Sequence, residues 1–237
     1  MKQDAGRLKM CAMLIVLLAI GAGERLSAQN QQHSYPTMAP LSEYLMGDRD
    51  AEIALARSAA PKTISGEAKI LVLGPHGYVT AVEGKNGFVC VVDRSWTAEF
   101  ENPEFWNPKL RGPICFNRQA AQSILPITYK RTELALAGQS KNQIMEGMKA
   151  AFAKKQLPPL APGGMSYMMS KGGYLNDAAG HWIPHLMFYT SREVDWGADL
   201  PGSPIMLNPQ LEGDRDPIKV FMIPAGKWSD GTAAPVM

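Results

Sequence analysis

The residue types best suited to chemistry lie in Gly180-His181-Trp182-Ile183-Pro184-His185, where three residues separate two imidazoles. His76, in the Pro75-His76-Gly77 turn, would complete a three-histidine set with one position open to water, an arrangement that suits zinc. A metal-dependent hydrolase built this way would use His76, His181 and His185 as ligands and a metal-bound water as nucleophile. Met165, Met168, Met169 and Met187 lie near these histidines, and thioether with imidazole suits copper(I). Their spacing lacks the short repeat of a copper-carrying segment. The helical two-histidine zinc motif is also absent, because Pro184 disfavours a helix and no Glu follows His181 as a general base. The simpler reading makes the histidines hydrogen-bonded turn residues, so no cofactor is expected and zinc or copper stands as the alternative.

Other chemistries find less support. No Gly-x-Ser-x-Gly elbow occurs, and Gly164-Met165-Ser166-Tyr167, the nearest approach, lacks the second glycine. Gly84-Lys85-Asn86-Gly87 and Gly172-Gly173 read as turns, since neither leads into Gly-Lys-Ser/Thr. A glycosidase carboxylate pair can be drawn from Glu99, Glu101, Glu104, Asp195 and Asp199, but spacing selects none of them. Trp96, Trp106, Trp182 and Trp196 suit either a sugar-stacking platform or a core, and burial is the commoner fate of such side chains. The function expected is therefore non-enzymatic binding of a small ligand or an envelope partner. Its candidate contacts are His76, Trp96, Trp106, His181, Trp182 and His185, in a cleft beside residues 96–113.

The N-terminus reads as an address. Lys2, Arg7 and Lys9 precede an uncharged run, CAMLIVLLAIGAG over residues 11–23, and Leu26-Ser27-Ala28 offers a small residue for cleavage. This is the pattern of a secretory signal peptide over residues 1–28. A thirteen-residue helix spans only about 20 Å, short of the ~30 Å hydrocarbon core. Residues 29–40, polar with two prolines, are expected to be a flexible leader, and residues 41–237 a single domain. Of 24 basic and 22 acidic residues the signal removes four and two, leaving 20 of each. A neutral mature chain has no general electrostatic reason to bind nucleic acid, and no later run is long enough to span a membrane. A periplasmic or secreted location also favours a disulfide between Cys90 and Cys115, the two cysteines that remain.

The elements that must position these residues are legible from periodicity. Acidic residues at Asp48, Asp50 and Glu52 open a helix that Pro61 stops. The runs KILVLG, YVTAVE and FVCVVD alternate with period 2 and are separated by Pro75-His76-Gly77 and by a turn containing Asn86-Gly87. This predicts a three-stranded antiparallel meander. In the third run Phe88, Cys90 and Val92 share one face while Val89 and Val91 share the other, so the strand is apolar on both sides. Residues 94–113 form a long loop pinned by aromatics. Asn117 caps a helix to Ala137 with a kink at Pro126, and the Ser140-Lys141-Asn142-Gln143 capping box opens another to about Lys155. The two helices are expected as an αα-hairpin on one sheet face. Strands then follow near residues 165–169, 185–190, 205–207 and 218–223, so the fold class is α+β with a mainly antiparallel sheet.

Five segments, Leu73-Gly74-Pro75-His76-Gly77-Tyr78, Asn86-Gly87-Phe88-Val89-Cys90, Arg94-Ser95-Trp96, Phe105-Trp106-Asn107-Pro108 and Gly180-His181-Trp182-Ile183-Pro184-His185, resemble a family of bacterial exported proteins of unknown function. The resemblance covers most of the mature chain. It implies export and no catalytic residues.

Overall fold

The computed structural model describes residues 35–177, 180, 182–198, 200–207 and 218–235. The signal peptide and residues 29–34 of the leader lie outside them, as does His181. Among the described residues no helix is long and apolar enough to cross a membrane.

A short α1 (Leu41–Tyr44) leads to α2 (Arg49–Arg57), where the Asp48 carboxylate accepts from the amides of Asp50 at 2.9 Å and Ala51 at 3.1 Å. These bonds satisfy donors that the first turn leaves free. Pro61 starts α3 (Lys62–Ser65), and β1 (Lys69–Gly74), β2 (Gly77–Val82) and β3 (Val89–Asp93) follow. After the long loop come β4 (Gly112–Phe116), α4 (Arg118–Ser123), α5 (Leu125–Leu136) and α6 (Lys141–Ala153), the last opened by the Ser140/Gln143 capping box. The expected kink at Pro126 is a break just before it. Pro126 occupies the first turn of α5, where its missing N–H costs nothing. The chain closes with β5 (Met165–Met168), β6 (His185–Ser191), β7 (Met206–Leu207) and β8 (Ile218–Pro224).

The strands form one eight-stranded sheet in the order β2-β1-β3-β4-β5-β6-β8-β7, antiparallel except for β1 and β3. The α+β class stands, and the N-terminal meander is corrected. β3 does not fold back on β2; it crosses to the far edge of β1 and runs parallel to it, pairing at Lys69↔Val89 and Ile70↔Cys90. The Asn86-Gly87 turn belongs to this crossover. Lys85 N donates to Glu67 O at 2.8 Å, and the Asn86 amide side chain bonds Ile64 O at 2.7 Å and Phe88 N at 3.0 Å. A Cβ on Gly84 would sit 2.1 Å from Lys69 N, so the chain crosses against the start of β1 where only glycine fits. Alternation shows that a segment is a strand and leaves open which edge of its neighbour it joins.

Each sheet face packs its own layer. Ile70, Cys90, Val92 and Cys115 meet Ala56 of α2 and Ala59, Ala60 and Ala68 beyond it, small residues that let these segments approach the sheet closely. On the other face Leu71, Val91, Ile114 and Phe116 pack on Ala120, Ile124 and Leu125 of the α4–α5 region. A third cluster joins Trp96, Phe100, Phe105 and Trp106 of the long loop to Tyr44, to Leu134 and Ala135 of α5, and to Ile144 and Met148 of α6. Cys90 and Cys115 lie opposite each other on β3 and β4 with their Sγ atoms 2.00 Å apart, a disulfide distance.

Because β1 and β3 pair at only two positions, the backbone beyond Ile70 needs other partners. Leu73 N donates to Glu52 Oε1 at 3.1 Å, and Val92 O accepts from Tyr78 OH at 2.9 Å and from the Arg94 guanidinium. Arg94 also bonds Glu52 Oε1 at 2.8 Å and Tyr44 O at 2.7 Å. The Arg94 side chain is 0% exposed and that of Glu52 2%. Removing one partner of such a pair strands a buried charge, which costs about 3–5 kcal/mol. Glu52→Ala and Arg94→Ala are each expected to lose stability on that scale in urea unfolding, whereas Lys171→Ala, which breaks an exposed pair with Asp230, is expected to leave the urea midpoint nearly unchanged. The Cys90→Ala/Cys115→Ala double variant is expected to lose about 3 kcal/mol, read from the same unfolding curves beside the oxidised wild type.

Candidate functional site

The strand directions bring the ends of β1, β3, β5 and β8 and the starts of β2, β4 and β6 to one end of the sheet. The two long connections of the chain, residues 94–111 and 169–184, therefore meet there. Their contact is built on two carboxylates. Glu104, 7% exposed, accepts from Asn107 Nδ2 at 2.6 Å and from the Asp177 amide at 2.9 and 3.1 Å. Asp177 accepts from Tyr35 OH at 2.5 Å, from Lys109 Nζ at 3.1 Å, from Asn107 Nδ2 at 3.5 Å and from Tyr174 OH.

This donor set fixes the charge states. Hydrogen bonds from Tyr174 and Tyr35, with Lys109 beside them, hold the Asp177 carboxyl well below the usual carboxylate range. Tyr174 is pushed up to about 12, chiefly by its bond to Asp177, and Tyr35 to about 12, by burial and then by the same carboxylate. Lys109 is likewise raised by Asp177. An ionised carboxylate saturated by donors makes a good clasp and a poor proton carrier.

The clasp ties down residues that were expected to be leader. From Tyr35 onward the chain lies along the fold, and residues 36–39 form one wall of a groove of about 520 Å³. Leu41, Trp106, Ala135 and Leu136 supply apolar surface, while Gln139, Ser140, Lys141 and Gln143 at the start of α6 supply polar groups and one cation. Lys141 Nζ lies 5.9 Å from the Phe105 ring centroid.

The sequence-derived residues fare differently. Trp106 is buried and lines this groove. Trp96, expected to contact a ligand, is 0% exposed and donates its Nε1–H to Thr132 Oγ1 at 3.0 Å; it is core. Its place follows from the 94–113 loop folding its aromatics inward against α5 and α6. Trp182 and His185 are brought together, ring centroids 6.4 Å apart, and both are buried. His185 Nδ1 bonds Ile183 O at 2.8 Å, and burial lowers the imidazole pKa. His76 is exposed in the β1–β2 turn. Three strands stand between β1 and β6, a lateral span of about 19 Å at ~4.8 Å per strand. The sheet thus keeps His76 and His185 apart. Among the described residues no group of three His, Cys, Asp or Glu side chains could hold a metal ion. Ser166 is fully buried and bonded to Tyr189 OH at 2.7 Å.

Comparison of the chain with protein-family models, with curated proteins and with solved structures gives no match.

Asp93 is the residue that motif reading passed over. It ends β3 on the Val89/Val91 face, and its Oδ1 is buried with no hydrogen-bond partner among the described residues. Desolvation pushes its carboxyl up to about 7, against the opposing pull of Arg94, the Thr97 side chain and Arg131. The signal was present: an Asp continuing the period-2 alternation of an all-apolar strand falls on a covered face. The native state binds a proton that the unfolded chain, with a carboxyl near 3.9, releases first. The contribution of Asp93 to stability is then fullest below about pH 4 and falls as pH rises to about 7. Relative to wild type, Asp93→Asn is expected to gain stability between pH 4.5 and pH 8, measured by urea midpoints; an offset that stays flat across that range would contradict this environment.

Proposed function

We propose that this chain is an exported, disulfide-braced α+β domain that binds a small amphipathic ligand without catalysing a reaction. The observation that carries the reading is the groove of about 520 Å³ between residues 36–39 and the α5–α6 connection, with Trp106 in its lining. Its apolar surface suits a ring or short chain, and Lys141, beside the positive end of α6, suits an anionic group. Export is supported by the charged-then-apolar pattern of residues 1–23 and by Cys90 and Cys115 at disulfide distance. Docking of an envelope partner on the same end of the molecule is the variant of this reading in which the ligand belongs to a larger molecule.

Metal-dependent hydrolysis by His76, His181 and His185 draws no support from the sheet, which spaces His76 from His185. Elemental analysis by plasma mass spectrometry tests it directly, and near-stoichiometric zinc or copper would restore it.

The groove is tested with anilinonaphthalene sulfonate, an anionic aromatic dye. Wild-type protein is expected to bind it. Lys141→Glu should weaken binding roughly fivefold, the scale of one exposed charge pair. Leu41→Trp, which fills the apolar side, should abolish it. Equal dye affinity in all three proteins would overturn the assignment.

A further inference from the structure

The groove has one wall unlike the others. Residues 35–40 carry no regular secondary structure, and the hydrogen bonds described for them fall at the two ends. At the α1 end, Ala39 N donates to Tyr44 OH at 3.2 Å, and Tyr44 OH donates to Trp106 O at 2.8 Å. Tyr44 is 0% exposed, so this end is anchored in the core. At the other end, Tyr35 OH meets Asp177 at 2.5 Å on a loop that does not line the groove. Between the anchors Tyr35, Met38 and Ala39 rest, partly buried, on the aromatic cluster, and Pro36 and Pro40 stiffen the segment by fixing φ.

We propose that Asp177 is a positioning residue for the groove: through Tyr35 it holds residues 35–40 as a strap, and release of that single contact lets the strap swing about its Tyr44 anchor to admit ligand. This rests on the groove being the ligand site. The asymmetry of the two ends carries it. The Tyr44 end is buried under Trp106, whereas the polar anchor of the Tyr35 end among the described residues is one hydroxyl on one carboxylate, beside the partly buried ring. Asp177 keeps other donors after Tyr35 leaves, namely Tyr174, Lys109 and Asn107, so its charge is not stranded when the strap lifts. The phenol leaves towards water, where its hydroxyl is solvated. Opening therefore exposes no unpaired charge, and the remaining cost is the apolar contact of residues 35, 38 and 39 with the cluster beneath.

Tyr35→Phe removes the hydroxyl and keeps the ring; Asp177→Asn removes the charge. Stopped-flow mixing with anilinonaphthalene sulfonate is expected to show association and dissociation both at least threefold faster in Tyr35→Phe, with the ratio, and so the affinity, little changed. Amide hydrogen exchange at residues 37–39 and 41 should quicken in the same variant while exchange in β3 and β4 holds, a local effect that general destabilisation would not produce. Asp177→Asn disturbs three further donors, so its refolding is checked by the exchange pattern of β3 and β4 before its rates are used. Unchanged dye rates and unchanged exchange in Tyr35→Phe would overturn the strap. If the dye ignores Lys141→Glu and Leu41→Trp, the ligand site is wrong, and exchange alone, which needs no ligand, then decides whether the strap opens at Tyr35.

Discussion

Two parallel strands that pair at only two positions leave the backbone open beyond them, and the fold depends on what closes the gap. Glu52 takes the Leu73 amide, Arg94 takes the Val92 carbonyl, and the two side chains take each other at 2.8 Å with almost no exposure. Neither charge would be tolerated alone at that depth, so the pair forms as a unit and fixes α2 against the ends of β1 and β3. The third bond of Arg94, to Tyr44 O, extends the constraint to α1. The path into the first strand, the split in the sheet and the start of the long loop are thereby tied to one guanidinium.

That tie sets the geometry of everything at this end of the sheet. Tyr44, held by Arg94 through its carbonyl, presents its hydroxyl to Trp106 and to Ala39, so the same residue joins the ion pair to the groove. The aromatic residues of the loop fold inward onto α5 and α6 and form a cluster that the groove borders. Glu104 and Asp177 then join the two long connections from the outside. One carboxylate is buried and accepts the amide of the other residue; the other is clasped by tyrosines and a lysine. The polar groups are layered by cost, with the most expensive charges fully paired in the split and the cheaper ones partly solvated at the rim.

A half-buried aspartate at the end of β3, with its Oδ1 buried, stands outside this pattern. Asp93 lies between residues that could neutralise it, yet desolvation outweighs them and keeps its carboxyl near neutrality. The neighbouring Ser95 Oγ is also buried with no partner among the described residues. Asp93 therefore titrates in the neutral range, while the Asp177 carboxylate stays ionised there.

Periodicity and punctuation by themselves determined the elements. Most strands and helices lie where alternation, helical spacing, Asp48, Asn117 and the Ser140 capping box place them, because these signals are local and act within a few residues; β4, at the end of the expected loop, and the break between α4 and α5 were not read from them. The pairing of Cys90 with Cys115 was legible because the third cysteine, Cys11, falls in the segment read as a signal peptide. The sheet order was not legible. Whether β3 joins β2 or crosses to β1 is decided by Gly84 fitting against Lys69 and by a Glu52–Arg94 pair 42 residues apart, and no local pattern records either. The candidate site divides the same way. Trp106 was named from its aromatic loop, but aromatic type cannot separate it from Trp96, since burial depends on which elements pack over each ring. The contact of Tyr35 with Asp177 was not legible because 142 residues separate a hydroxyl and a carboxylate that only the folded chain brings together.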